Sequence, residues 1–312
     1  MIENIPTEGL YDNSYTKIMN EFEILRSKQL KNTFKINLLG TNNKLFSILY
    51  SLTLPLRKNS KVKRYVNFIL RKILENGRKK GKTLRAYTNV FWTKDVIESS
   101  TLPYPVRRVE YPWAILNAKL EKPMKILDVG SGISIFPVYL ASKGHEVYSI
   151  DFDEILMNRV SPELAKLSSV NVNYSFGDAT KINFEDESFD RVFCISTIEH
   201  LEEEFHDGKY VNHHKKNLDI KAIGEMLRVL KPGGMLVLTF DWSENIDDQR
   251  SYKLDDIYER VLKSYTKFLI HDKKPVIDWD DLKKKHIRAW KSFPPYDYVT
   301  EGWAIGTILK KF

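Results

Sequence analysis

Two carboxylates and two glycines fall at spacings that could build a nucleoside site. Lys125-Ile126-Leu127-Asp128-Val129 is a short apolar run that meets Gly130-Ser131-Gly132 at once, and a helical stretch continues through Ala141. A strand, a glycine turn and a helix in that order bring backbone N–H groups and a helix start close to a ligand. The dinucleotide pattern needs a third glycine where this chain has Ile135, so NAD is disfavoured. Asp128, two residues before Gly130, would repel a pyrophosphate and attract an ammonium group, which favours a cationic, amino-acid-like ligand. Asp151 lies nineteen residues after Gly132 at the end of the next apolar run, EVYSI, placed to accept hydrogen bonds from ribose hydroxyls.

Proton-transfer chemistry has its candidate in Glu199-His200, just after the apolar run Asp190 to Ser196. An imidazole there could take a proton from a hydroxylated acceptor, and the alternative is that the pair caps the helix that follows. His206, His213 and His214 lie close by, so four of the seven histidines fall between 200 and 214, but their spacing with Glu199 or Asp207 matches no established ligand pattern and no metal is expected. Cys194, the single cysteine, sits among Val192, Phe193 and Ile195 and reads as core. One cysteine excludes a disulfide framework.

These residues need a scaffold that carries them to one place. Short apolar runs alternate with amphipathic stretches: Lys125 to Val129, Glu146 to Ile150, Val170 to Phe176 before Gly177-Asp178, Asp190 to Ser196, the helix Lys221 to Leu230, and Met235 to Phe240 after Lys231-Pro232-Gly233-Gly234. The helix after Asp153 restarts at Ser161-Pro162, and another is predicted from Tyr111 to about Leu120 with Pro112 in its first turn. Alternation of this kind demands right-handed crossovers and an α/β, doubly wound, mostly parallel sheet. Ligands then bind beyond the carboxyl ends of the strands, where Gly130, Asp151, Asp178 and Ser196 converge.

ILDVGSGIS (126–134), EVYSID ending at Asp151, GDAT (177–180), FDRVFCISTIEHL (189–201) and LRVLKPGGMLVLTF (227–240) together resemble the ordered motifs of class I S-adenosylmethionine-dependent methyltransferases. The resemblance covers residues 110 to 312 and implies a seven-stranded sheet with its last strand antiparallel, assigned to Trp303–Lys311. It implies that Asp128, Gly130, Ser131 and Gly132 hold the methionine portion of S-adenosylmethionine, Asp151 the ribose, and Asp178 with Ala179 the adenine edge, with Phe152 against the adenine face and Ser196 at the crevice. His200 and Glu199 become the catalytic candidates. Tyr111 and Trp242 are the aromatic candidates on the acceptor side, part of a wall that Trp279, Trp290, Phe293, Tyr296 and Tyr298 extend. Ser134 stands where many members carry a third glycine. The implied activity is O-methylation of a hydroxylated acceptor, with a surface glycan or glycolipid as the expected setting. Two alternatives stand beside it. Metal-dependent small-RNA 3′-end methyltransferases resemble this region in Glu199-His200-Leu201 but also carry a glutamate where this chain has Ser196; and a non-catalytic scaffold could keep the fold.

The first 110 residues form a separate, helical N-terminal extension, with the boundary expected near residue 110. The chain of 312 residues carries a net charge of +8, concentrated between Arg57 and Arg85, where twelve basic residues face one acid. Val62, Val66, Ile69, Leu70, Ile73 and Leu74 recur there at helical spacing, so the charges decorate an amphipathic helix. The apolar run Leu45 to Leu56 before it is too short to span a bilayer of roughly 30 Å but could lie on one. Peripheral docking at the inner face of a membrane, a solvated basic cap and a nucleic-acid contact all remain open for this stretch, nucleic acid having the least support. No secretory leader is read at the start, and a cytoplasmic location is expected.

Overall fold

The computed structural model describes residues 2–4, 13–32, 107–242 (apart from 122, 155, 203, 207–208 and 212–215), 252–253, 256, 260 and 303–311. The apolar and basic segment 45–85 and the aromatic residues at 279, 290, 293, 296 and 298 lie outside the described residues.

The elements run β1 (Ile2–Asn4), α1 (Asn13–Asn32), α2 (Arg107–Asn117), β2 (Lys125–Val129), α3 (Phe136–Ser142), β3 (Glu146–Asp151), α4 (Ser161–Leu167), β4 (Asn173–Phe176), β5 (Phe189–Ile195), the hairpin β6 (Glu204–His206) and β7 (Lys209–Val211), α5 (Leu218–Arg228), β8 (Leu230–Trp242) and β9 (Trp303–Lys310). The main sheet has the order β1-β9-β8-β5-β2-β3-β4. Strands β4, β3, β2, β5 and β8 are parallel to their neighbours, and β9 returns antiparallel to β8. This is the expected doubly wound, mostly parallel arrangement. The strand count needs a correction: the unit from Lys125 onward supplies six strands of the main sheet, and the seventh position at the edge is taken by β1, which pairs Ile2 with Thr307 and Asn4 with Ile305. The outer edge of β9 would otherwise present unpaired N–H and C=O groups, and three residues from the far end of the chain cover it.

Strand alternation sorts the core into two layers. Leu127, Val129, Val192, Cys194, Leu236 and Leu238 face α5, while Ile126, Phe193, Ile195, Met235 and Val237 face α1, α2 and α3. Cys194 is fully buried in the first layer, as its neighbours foretold. In the second, the indole of Trp113 of α2 packs against Gly306 of β9: a Cβ at Gly306 would meet it at 2.4 Å. The helix carrying Trp113 starts at Arg107, four residues before the predicted start, so Pro112 is inside it rather than at its opening.

Helix α1 belongs to the same layer. Phe22 is fully buried with its ring 4.3 Å from that of Tyr139. Tyr139 Oη donates to Glu21 at 2.8 Å, Lys28 Nζ to the Ser168 carbonyl at 2.6 Å and Gln29 Nε2 to the Leu164 carbonyl at 3.1 Å. Among the described residues no helix is long and apolar enough to cross a membrane.

Candidate functional site

The glycine turn is tied to the end of the neighbouring strand. Gly130 N–H donates to the Ile150 carbonyl at 2.8 Å, and Gly132 N–H donates to Asp151 Oδ2 at 2.8 Å. Asp151 Oδ1 accepts from Asp153 N–H at 2.9 Å, so each carboxylate oxygen holds one turn and keeps a lone pair for a ligand. Burial raises its pKa, against the pull of these backbone N–H groups. Gly130 has φ +76°, and a Cβ there would stand 2.1 Å from the methyl of Thr197; only glycine fits between this turn and the end of β5.

Beyond these strand ends opens a crevice of about 400 Å³, within the range of small-ligand sites. Gly130, Asp151, Phe152, Asp178, Ala179, Ser196 and His200 line it, together with Thr180, Thr197, Leu201 and Leu218, which the sequence did not single out. Asp178 Oδ1 accepts from Thr180 N–H and Oγ1 at 2.7 and 2.8 Å, which fixes the turn after β4. Phe152 at the rim is 72% exposed and 5.3 Å from Phe176, itself half exposed, an open aromatic pair suited to a flat ring.

Asp128 lies elsewhere. It is 2% exposed, on the sheet face of Ile126, and its Oδ2 has no hydrogen-bond partner. Burial and the nearby Asp151 charge push its pKa up to about 8, against the opposing effect of Arg107. A buried carboxylate oxygen without a donor is costly, and a ligand ammonium would remove the cost. Ser131 is buried beside it, accepting from Ser149 Oγ at 2.6 Å.

Glu199 and His200 are separated by the structure. His200 is on the crevice wall, in a short turn of 3-10 helix, with its N–H donating to the Thr197 carbonyl at 3.0 Å. Glu199 is fully buried behind it, with Oε1 accepting from Asp241 N–H at 3.3 Å; burial raises its pKa while the His200 charge works against that. Trp242 closes β8, paired with Trp303. Tyr111 is buried, with Oη 2.8 Å from Ser134 Oγ of the glycine turn. Among the described residues no group of three or more His, Cys, Asp or Glu could hold a metal.

One set of residues escaped the sequence reading. Glu110 of α2 is fully buried; its Oε1 accepts from Ser196 Oγ at 2.6 Å and Thr239 Oγ1 at 2.7 Å, and its Oε2 pairs with Arg107. Ser196, at φ +43°, is the residue that turns the chain out of β5 into the crevice. Partners 86 and 129 positions apart leave no local signal.

The residues present fit S-adenosylmethionine: an aromatic rim and the Asp178 turn for adenine, Asp151 for ribose, a glycine turn that tolerates close approach, and a buried carboxylate lacking a cation. Comparison with known proteins agrees. Residues 127–238 match the family model described as a methyltransferase domain. A demethylmenaquinone methyltransferase of Clavibacter sepedonicus is 30% identical over 129 residues, 40% of this chain and 46% of that protein. The demethylmenaquinone methyltransferase of Staphylococcus haemolyticus is 25% identical over 227 residues, 72% and 82% of the two chains. The crystal structure of a SAM-dependent methyltransferase from Aquifex aeolicus aligns with a TM-score of 0.37 at 21% identity, over 64% of this chain and 88% of that one. The chain spans about half the length of the first curated relatives it matches. The unit built on the glycine turn and Asp151 thus matches a methyltransferase domain over residues 127–238, and S-adenosylmethionine is the cofactor its residues fit.

Proposed function

We propose that the protein transfers a methyl group from S-adenosylmethionine to a hydroxyl oxygen of a small-molecule acceptor, with His200 taking the hydroxyl proton. The observation that carries this reading is the position of His200 on the wall of the same crevice that Asp151 and Asp178 line. When bound, the cofactor supplies a methyl already activated on a sulfonium, so the protein's tasks are alignment, exclusion of water and removal of one proton. Asp151 and the Asp178 turn would anchor the nucleoside, and Asp128 the ammonium. His200 would accept the proton as the acceptor oxygen attacks. The relatives named above are demethylmenaquinone methyltransferases, which favours a small-molecule acceptor with a quinone-type ring over the glycan or glycolipid expected from sequence; none of them speaks for a glycan.

The test is methyl transfer from radiolabelled S-adenosylmethionine to a panel of reduced quinones, simple phenols and sugars. Wild type is expected to label a hydroxylated ring, and His200→Gln to lose roughly 10²- to 10⁴-fold in kcat with cofactor affinity unchanged. Equal rates for wild type and His200→Gln would remove His200 from the chemistry.

A further inference from the structure

The amino-acid end of the cofactor is a zwitterion, an ammonium and a carboxylate on one carbon. A site that recognises it fully needs a pair of opposite charges in reversed order, and the description so far accounts only for the ammonium. Asp128 faces the layer that holds α2, because Ile126 and Asp128 share one side of β2 while Leu127 and Val129 take the other. The start of α2 is tied to the elements around the ligand site: Tyr111 meets Ser134 of the glycine turn, and Glu110 holds Ser196, just after β5 on the crevice wall, and Thr239 of β8. One turn before these anchors stands Arg107, whose side chain is largely buried and spends one nitrogen on Glu110. Among the described residues its other donors hydrogen-bond no protein group. No ion pair joins Arg107 to Asp128 either, although its charge acts on that carboxylate.

We infer that Arg107 receives the carboxylate of the cofactor's amino-acid end, held in place by Glu110, while Asp128 receives the ammonium of the same ligand. Helix α2, outside the matched region 127–238, is then part of the cofactor site. The inference rests on the S-adenosylmethionine reading above. A guanidinium fork suits a carboxylate geometrically, and fixing it through a fully buried glutamate avoids ordering a long side chain at the moment of binding.

Calorimetric titration of the full chain with S-adenosylhomocysteine and with its decarboxylated analogue tests this without any turnover. Wild type is expected to bind S-adenosylhomocysteine roughly 10- to 100-fold more tightly than the analogue, the worth of a charge-assisted hydrogen bond or two. Arg107→Met should erase that preference by weakening S-adenosylhomocysteine alone, and Arg107→Lys should restore part of it. Equal affinity of wild type for both ligands overturns the inference, as does an Arg107→Met variant that weakens both alike, the mark of a packing role. Should Arg107→Met fail to fold, the wild-type preference and the Arg107→Lys variant decide. Binding of neither ligand by wild type refutes instead the cofactor reading on which the inference stands.

Discussion

Gly130 and Gly132 are two residues apart and both have positive φ, yet they should respond differently to the same substitution. At Gly130 an added Cβ runs into Thr197, whereas nothing lies within 4 Å of one at Gly132. Gly130→Ala should therefore displace the turn, lower stability by about 2–3 kcal/mol and abolish cofactor binding; Gly132→Ala should cost about 1 kcal/mol from backbone strain and retain binding. Thermal melts and titration with S-adenosylhomocysteine distinguish the two. Asp128 gives a pH signature. Its pKa in the fold, about 8, stands above the ordinary carboxylate value, so the folded state keeps a proton that the unfolded chain releases. Stability of the unliganded protein should fall as pH rises from about 4 to 8 on this account. Asp128→Asn should flatten that slope and raise Tm at pH 8, by roughly 2–4 °C for each kcal/mol recovered, while weakening cofactor binding. Binding by wild type should release a proton below pH 8, readable by calorimetry in buffers of different ionisation enthalpy.

At the scale of elements, Asp219 in the first turn of α5 accepts from Arg260 Nε and NH2 at 2.9 and 2.7 Å and from Tyr252 Oη at 2.8 Å. It is next to Leu218 of the crevice wall, so these bonds tie Tyr252 and Arg260, beyond β8, to the start of the helix that supplies that wall. Burial opposes its charge, but Arg260, Tyr252 and the Ile220 N–H outweigh it and hold the pKa below the usual value. The stability it adds is present above the unfolded carboxylate pKa and is lost as pH falls through the depressed folded one. Asp219→Asn should destabilise the protein by about 3 kcal/mol at pH 7, through an unpaired Arg260, and by progressively less as pH falls below the ordinary carboxylate range. The strand, turn and helix around Asp128 to Ala141 could be read from the sequence because each signal there is local, as was the restart at Ser161-Pro162, where α4 begins. The true start of α2 was not legible: Pro112 fits a first turn, but Arg107 and Glu110 gain their place by bonds to β5 and β8 far along the chain. Thr197, which fills the space Gly130 leaves, was hidden for the same reason.

Considered whole, the molecule joins three regions distant in sequence. Strand β1 closes the sheet edge, α1 covers the layer above α3, and the unit from Lys125 carries the crevice. Phe22 fixes α1 to that layer, and Phe22→Ala should cost about 3–5 kcal/mol, seen as a lower Tm with cofactor affinity kept in the protein that remains folded. The central claim is that one crevice reads a sulfonium nucleoside through Asp151. Titration of wild type and Asp151→Ala with S-adenosylhomocysteine, and of wild type with NAD, tests it most directly. The account predicts binding of S-adenosylhomocysteine by wild type, a loss of at least tenfold in Asp151→Ala, worth about 1.4 kcal/mol, and no binding of NAD. A wild-type protein that ignores S-adenosylhomocysteine, or that binds it equally well without the Asp151 carboxylate, would contradict the account.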